Sequence, residues 1–378
     1  MKSSDEKETK AVIKPYQLHK QCEWKTDHYV MSVVLNKNEI FIAYATGRLE
    51  KRKLKDGSII KSSPVDLGLA CKLHRLGQTI VAQGTSAVKL INAKTLTEES
   101  TLEKHQFDCA ELQPGRYVAL EVLSPQAELY DVSNPKEPKL LSVFSLPQEH
   151  QIQCVAAIPA EGKEEPLIVM GCKGGFIQYC KMTELDSPEK HTRITVDSNS
   201  EMSVWSIAVM CDKQLAISRS ANRDMPYAPI GQPPQKPTFI DWINLNTGQV
   251  KPISQVPDDV EVTPILNGAS FAMHPPETQH RFNRMSLWDL VAEQLTEICF
   301  DEGIRRCAFY KDQLVTVDEK QVKVNQMQLS LEMVNFLRAQ LNMPPVLVDI
   351  VASYLSMFPQ PKQHKGEEKD FLPPKPPL

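Results

Sequence analysis

The chain of 378 residues contains little glycine and no long apolar run. Glycine contributes 15 residues, about 4 %, against a usual share of about 7 % in globular proteins. No apolar stretch approaches the roughly 18 residues that cross a bilayer, and the N-terminal segment is polar, so we expect neither membrane insertion nor a secretory signal. The 43 basic and 47 acidic side chains nearly balance, which argues against nucleic-acid binding as the main activity.

The sequence also lacks the motifs of common catalytic and metal sites. None of the nine cysteines forms a Cys-x-x-Cys pair, and neither a Gly-x-Ser-x-Gly motif nor a Gly-rich phosphate loop is present. His274 and His280 are six positions apart, a spacing that matches no zinc signature. We therefore expect no catalytic residue, no cofactor and no metal, in a protein that resides in the reducing cytoplasm.

What the sequence does contain is a repeat of short β-strands. Residues 29–57 show three segments of alternating apolar and polar residues separated by turns, and the same order recurs at 69–96 and 107–135. Turn signals every 8–12 residues around short alternating segments are typical of β structure.

The third segment of each repeat carries a Trp-Asp-like pair. The pair is complete at Trp288-Asp289 and varied at Tyr130-Asp131. Equivalent positions fall at Arg52, Ile91, Cys180, Ile243 and Asn325. The steps are mostly close to the 40–45 residues of a propeller blade. With these residues the chain resembles the WD-repeat proteins, which implies an all-β, seven-bladed WD-repeat-like β-propeller over residues 11–329.

Small residues near the start of the first strands repeat with the same step, at Ser32, Cys71, Cys109, Cys154, Ser206 and Cys307. The innermost strands of a propeller crowd around the channel, so these cysteines are expected to be structural. Because the first strands carry Ser, Cys, Ala and Val, we expect no ring of carboxylates like that of propeller hydrolases. Residues 303–329 supply only three strands, and residues 11–24 could complete the last blade and close the ring.

Two insertions interrupt the repeat between the second and third strands of blades five and six. They span residues 219–238 and 273–284, and with residues 343–378 they contain 15 of the 28 prolines. Basic and aromatic side chains on Pro-stiffened loops favour a protein interface, although solvated loops that bind nothing remain an alternative. The candidate partner-binding residues are Arg219, Arg223, Tyr227, Arg281, Phe282 and Arg284.

The period changes to helical after residue 330, which predicts a short helical hairpin at 330–357. Its second helix is a candidate docking element with an apolar side formed by Leu347, Ile350, Val351, Tyr354 and Leu355. The string from Met343 to Leu355 resembles the opening of an F-box, which implies a cullin adaptor as partner. It is also loosely similar to helices in effectors of intracellular bacteria, which implies delivery into a host cell. Packing of the hairpin on the propeller is the other interpretation.

Disorder is expected for residues 1–10 and for the Pro-rich tail at 358–378, whose Pro-x-x-Pro spacing could serve a Pro-reading domain. Taken together, these patterns predict a non-catalytic protein-interaction platform, adaptor or scaffold. Two alternatives remain open: a substrate receptor of a ubiquitin ligase, and a propeller enzyme with a site in the channel.

Overall fold

The structure is a computed structural model. It describes residues 16–65, 72–84, 87–104, 106–121, 126–147, 150–160, 162, 164–199, 201–221, 238–256, 260–265, 270–274, 282–289, 294–310, 312–318 and 320–329.

Within these ranges the chain forms 28 β-strands in seven four-stranded antiparallel sheets. Blade 1 contains β2 (Val30–Asn36), β3 (Glu39–Tyr44), β4 (Arg48–Lys53) and β5 (Ile59–Pro64); blade 2 contains β6 (Lys72–Leu76), β7 (Thr79–Gln83), β8 (Val88–Asn92) and β9 (Glu98–Leu102). Blade 3 contains β10 (Gln106–Gln113), β11 (Arg116–Glu121), β12 (Gln126–Asp131) and β13 (Lys139–Ser145); blade 4 contains β14 (Ile152–Ile158), β15 (Leu167–Cys172), β16 (Phe176–Lys181) and β17 (Thr192–Thr195). Blade 5 contains β18 (Met202–Val209), β19 (Gln214–Ala221), β20 (Thr238–Asn244) and β21 (Gln249–Val256); blade 6 contains β22 (Glu261–Ile265), β23 (Ser270–His274), β24 (Phe282–Asp289) and β25 (Gln294–Ile304). Blade 7 combines β26 (Arg306–Tyr310), β27 (Gln313–Asp318) and β28 (Gln321–Leu329) with β1 (Tyr16–Lys25).

The prediction of an all-β, seven-bladed propeller is confirmed. All seven positions predicted to mark the third strands, from Arg52 to Asn325, lie on the third strand of their blade. The described chain also contains single turns of 3-10 helix at Met182–Glu184, Pro188–Lys190 and Cys211–Lys213. No helix among the described residues is long and apolar enough to span a membrane.

The hydrophobic core lies between neighbouring blades. Every residue of β7 is buried, as are five of the six in β3, because second strands are covered on both faces by adjacent sheets. One cluster joins Ile40 and Ile42 of blade 1 to Val315 and Val324 of blade 7. The sheets therefore stabilise each other in series around the ring, and no blade has a complete core of its own.

The ring is closed by the N-terminal strand. Strand β1 pairs antiparallel with β28 as the outer strand of blade 7, which confirms the predicted closure. Trp24 at the end of β1 also reaches blade 1, where the guanidinium group of Arg52 lies 5.5 Å from its ring centroid. Arg52 Nη1 in turn donates a hydrogen bond to the carbonyl oxygen of Gly57, at 2.9 Å. Strand β1 thus connects the last blade to the first.

Candidate functional site

The connections between second and third strands differ sharply in length around the ring. They contain two to four residues in five blades, but 16 residues in blade 5 and seven in blade 6. Because the strands of each blade alternate in direction, the ends of the second strands and the starts of the first strands lie on one face, which we call the upper face. The two long connections therefore join strands that end side by side on the upper face.

The structure corrects the predicted position of Arg219. We expected it on a surface loop, but it belongs to β19, is 9 % exposed and pairs with Val204 and Phe239 across the sheet. Its guanidinium group donates to Asp241 Oδ2 at 2.6 Å and to Asp197 Oδ2, and it lies 4.7 Å from the Phe239 ring centroid. Burial raises the pKa of Asp241, against the lowering effect of Arg219. These contacts give Arg219 a structural role.

Two other predicted residues also belong to a strand. Phe282 and Arg284 lie in β24, so the insertion in blade 6 is shorter than expected. Phe282 is partly buried against a core cluster, whereas Arg284 is exposed near the upper end of the strand. Arg223, Tyr227 and Arg281 lie outside the described residues, as does the predicted docking helix with Leu347, Ile350, Val351, Tyr354 and Leu355. Partner binding by these residues stays a prediction.

The first strands surround a central cavity of about 530 Å³. Four of them contain a β-bulge, and the residue after each bulge is Ser32, Asp108, Cys154 or Ser206. Each of these side chains bonds to the backbone of the next blade. Ser32 Oγ accepts from Leu73 N at 3.0 Å, Asp108 Oδ2 accepts from Val155 N at 3.0 Å, and Cys154 Sγ lies 3.5 Å from Val204 O. Ser206 Oγ lies 3.2 Å from both N and O of Val262.

This arrangement explains the small residues that recur along the sequence. Ser32, Cys154 and Ser206 connect adjacent first strands, in addition to fitting a crowded position. In blade 3 the connecting residue is Asp108, one position before the predicted Cys109; Cys71 lies outside the described residues. The eight cysteines in the described part of the chain are all free.

The cavity is more polar than the sequence predicted. Lys72, Asp108 and Glu261 contribute charged side chains from three blades, and Lys72 Nζ lies 3.5 Å from Asp108 Oδ1. Burial and the carboxylate of Glu261 raise the pKa of Asp108, whereas Lys72 lowers it. Burial and Lys72 lower the pKa of His74 to about 3, so its imidazole is neutral and donates from Nε2 to Gln83 Oε1 at 3.0 Å. Two carboxylates, Asp108 and Glu261, line the cavity, whereas the sequence predicted only that the channel has no ring of carboxylates.

Two residues of blade 5 that line the cavity have a buried polar atom without a hydrogen-bond partner. The bulge between Val204 and Ser206 leaves Trp205 without a cross-strand partner, and its side chain lines the cavity with a buried, unbonded Nε1. Ser218, paired with Ser206 across the sheet, is completely buried and its Oγ is unbonded as well.

The described residues form no group of three or more His, Cys, Asp and Glu side chains able to hold a metal ion. His274, considered above as a ligand, is buried at the end of β23, and its Nε2 is 2.9 Å from Thr263 Oγ1. His280 lies outside the described part of the chain.

Among solved structures, the chain is similar to the β-propeller domain of Cps50 (Swd1) from Myceliophteria thermophila, with a TM-score of 0.59. The match covers 82 % of this chain and 99 % of that one, at 11 % sequence identity. The chain has a WD40-type β-propeller fold. At this identity the similarity concerns the fold alone. A scan against family models and a search of curated proteins find no match to the chain.

Proposed function

We propose that the propeller is a non-catalytic protein-interaction platform whose partner binds the upper face at blades 5 and 6. The observation that carries the proposal is the length of the two connections there, 16 and seven residues against two to four in the other blades. A rigid ring tolerates loop variation, and loops of this kind commonly carry binding residues. The exposed Arg284 lies at the upper end of a strand beside one of these connections.

The proposal includes a cytoplasmic adaptor or scaffold role. It is supported by the eight free thiols of the described residues, because such thiols persist in a reducing compartment. A ubiquitin-ligase receptor would additionally require the F-box-like helix. If a cullin adaptor co-purifies with the wild type but not with Leu347→Asp, the result favours the receptor function.

Affinity capture followed by binding measurements with the purified partner tests the proposal. Replacing Arg223, Tyr227 and Arg284 by Ala should weaken binding at least tenfold, since Arg and Tyr are frequent anchors of interfaces. The matched control replaces Lys139, Leu140 and Leu141, exposed on the outer strand of blade 3, by Ala. If both variants bind the partner with equal affinity, the partner does not bind the upper face at blades 5 and 6. If no stoichiometric complex can be isolated, the platform proposal itself is refuted.

A further inference from the structure

The outer corner of blade 1, on the face opposite the upper face, combines exposed isoleucines with exposed lysines. This lower face carries the turns that join first to second strands and third to fourth strands. In blade 1 the two turns are in contact, because Leu54 N donates a hydrogen bond to the carbonyl oxygen of Asn38 at 2.8 Å. Strand β5 begins close after the second turn, so its first residues belong to the same corner. We call this region the blade 1 corner.

Ile59 and Ile60 form the apolar part of the blade 1 corner. Their side chains are 50 % and 45 % exposed. The register pairs Ile59 with Arg52 and Lys61 with Lys51, so a β-bulge leaves Ile60 without a partner across the sheet. Adjoining exposed apolar side chains, unlike single ones, can mark a contact with a protein or a membrane.

Four exposed lysines make the blade 1 corner positive. They are Lys37 in the first turn, Lys53 and Lys55 at the second turn, and Lys61 in β5. None of the four forms an ion pair with a residue that the structure describes. Asp56 is the one acidic residue between positions 51 and 62, and its carboxylate accepts a hydrogen bond from Ser58 N at 2.9 Å. The hydrogen bonds from Ser58, followed by the charges of Lys53 and Lys55, lower the pKa of Asp56. The corner is therefore positive, although the whole chain has a net charge of −4.

Protection of the sheet edge explains only part of this arrangement. A bulge and lysines on an outer strand prevent another strand from pairing with its free edge, so they disfavour the addition of a peptide strand to β5. Such protection gives no reason for two exposed isoleucines. The surface of an anionic bilayer would use both features, because its headgroups attract lysines and aliphatic side chains enter the boundary between headgroups and acyl chains. A fluid lipid surface also needs no backbone edge with which to pair.

We propose that the blade 1 corner, with Ile59, Ile60 and the four lysines, is a peripheral contact with an anionic lipid bilayer. The contact requires no spanning segment, only that the aliphatic side chains reach the headgroup boundary. The inference goes beyond the proposed platform, because the corner lies on the lower face and in a different blade. A propeller bound in this way would leave the upper face of blades 5 and 6 free for a protein partner.

Co-sedimentation of the purified full chain with vesicles tests the inference. One set of vesicles contains equal parts of phosphatidylcholine and phosphatidylserine, and the other contains phosphatidylcholine alone. We expect at least tenfold tighter binding to the anionic vesicles, and weaker binding as the salt concentration rises, because salt screens the lysines. Ile59→Asp/Ile60→Asp and Lys53→Gln/Lys55→Gln/Lys61→Gln should each weaken binding at least tenfold. All five changes are at exposed positions, and circular dichroism checks that both variants fold.

The matched control is Leu140→Asp/Leu141→Asp on the outer strand of blade 3. Both leucines are 46 % exposed and Leu141 also lies at a bulge, but Lys139 is the one charged residue of that strand. This control should bind the anionic vesicles like the wild type. Arg223→Ala and Tyr227→Ala should also bind them normally, so failure of the platform proposal is distinguishable from failure of this one.

Several results would overturn the inference. Equal binding of the wild type to both kinds of vesicle would do so, as would unchanged binding by either the isoleucine or the lysine variant. Binding of poly-glutamate in place of anionic vesicles would assign the corner to an acidic polypeptide. A wild-type dimer that binds no vesicles, and that Ile59→Asp/Ile60→Asp converts to a monomer in analytical ultracentrifugation, would assign it to a second copy of the chain.

Discussion

The indole ring of Trp24 covers Gly57 so closely that a side chain at Gly57 would collide with it. A Cβ atom placed on Gly57 would lie 2.8 Å from Cδ2 of Trp24 and closer still to Cε3. Trp24 belongs to the strand that closes blade 7, whereas Gly57 lies in a turn of blade 1. The contact therefore connects the two ends of the ring.

Gly57→Ala should destabilise the propeller more than the same change at Gly248. Both glycines have positive φ, +69° and +70°, and an alanine in that region costs about 1–2 kcal/mol. Only Gly57 also faces an aromatic side chain, the indole of Trp24. Overpacking against it adds about 1–3 kcal/mol to the loss of stability. Urea unfolding monitored by circular dichroism measures both variants. Equal losses would show that Trp24 moves away without cost.

Ser32→Ala should cost about 1–3 kcal/mol, because the Leu73 N–H that bonds to Ser32 Oγ would remain buried without an acceptor. The exposed Ser62, whose hydroxyl accepts from Arg48 Nε at 2.7 Å, provides the control. Ser62→Ala should change the free energy of unfolding by less than about 0.5 kcal/mol. A Ser32→Ala protein as stable as the control would refute the bridging role of the hydroxyl.

Arg219→Met should destabilise the fold by about 3–5 kcal/mol, because it leaves the buried carboxylate of Asp241 without its cation. The double variant Arg219→Met/Asp241→Leu should recover part of the loss, since no buried charge remains. Arg116→Met breaks a pair with Asp131 that is more exposed, at 3.6 Å, and should cost at most about 1 kcal/mol. Thermal unfolding measures the stability of these variants. If Arg219→Met loses no more stability than Arg116→Met, the structural role of Arg219 is contradicted.

His74 should make the propeller less stable in acid. Its pKa is lowered from 6.5 to about 3, so the unfolded chain binds the extra proton first as the pH falls. This contribution to stability is present above pH 6.5 and is lost as the pH falls towards 3, at up to about 1.4 kcal/mol per pH unit. His74→Asn should remove that part of the slope, and His19→Asn, at an exposed position of β1, should keep it. Identical pH profiles of wild type and His74→Asn would contradict the prediction.

The positions of the candidate residues were less predictable than the strands that carry them. Arg219 follows a run of apolar and small residues and precedes many prolines, so composition placed it in the insertion. Only its pairing with Val204 and Phe239 across the sheet shows that the strand continues through Arg219. Trp205 was missed for a related reason: a bulge turns its side chain towards the channel, and a strict alternation of faces gives no sign of that.

The amino-acid sequence by itself determined the number of blades, the strand order within each blade and the closure of the ring. These features follow from short-range patterns that repeat along the chain, and each repeat can bury its apolar faces only against its neighbours. The tertiary structure alone decided which polar groups meet in the channel. Lys72, Asp108 and Glu261 belong to blades 2, 3 and 6, and they share one cavity because the ring brings together the first strands of distant repeats.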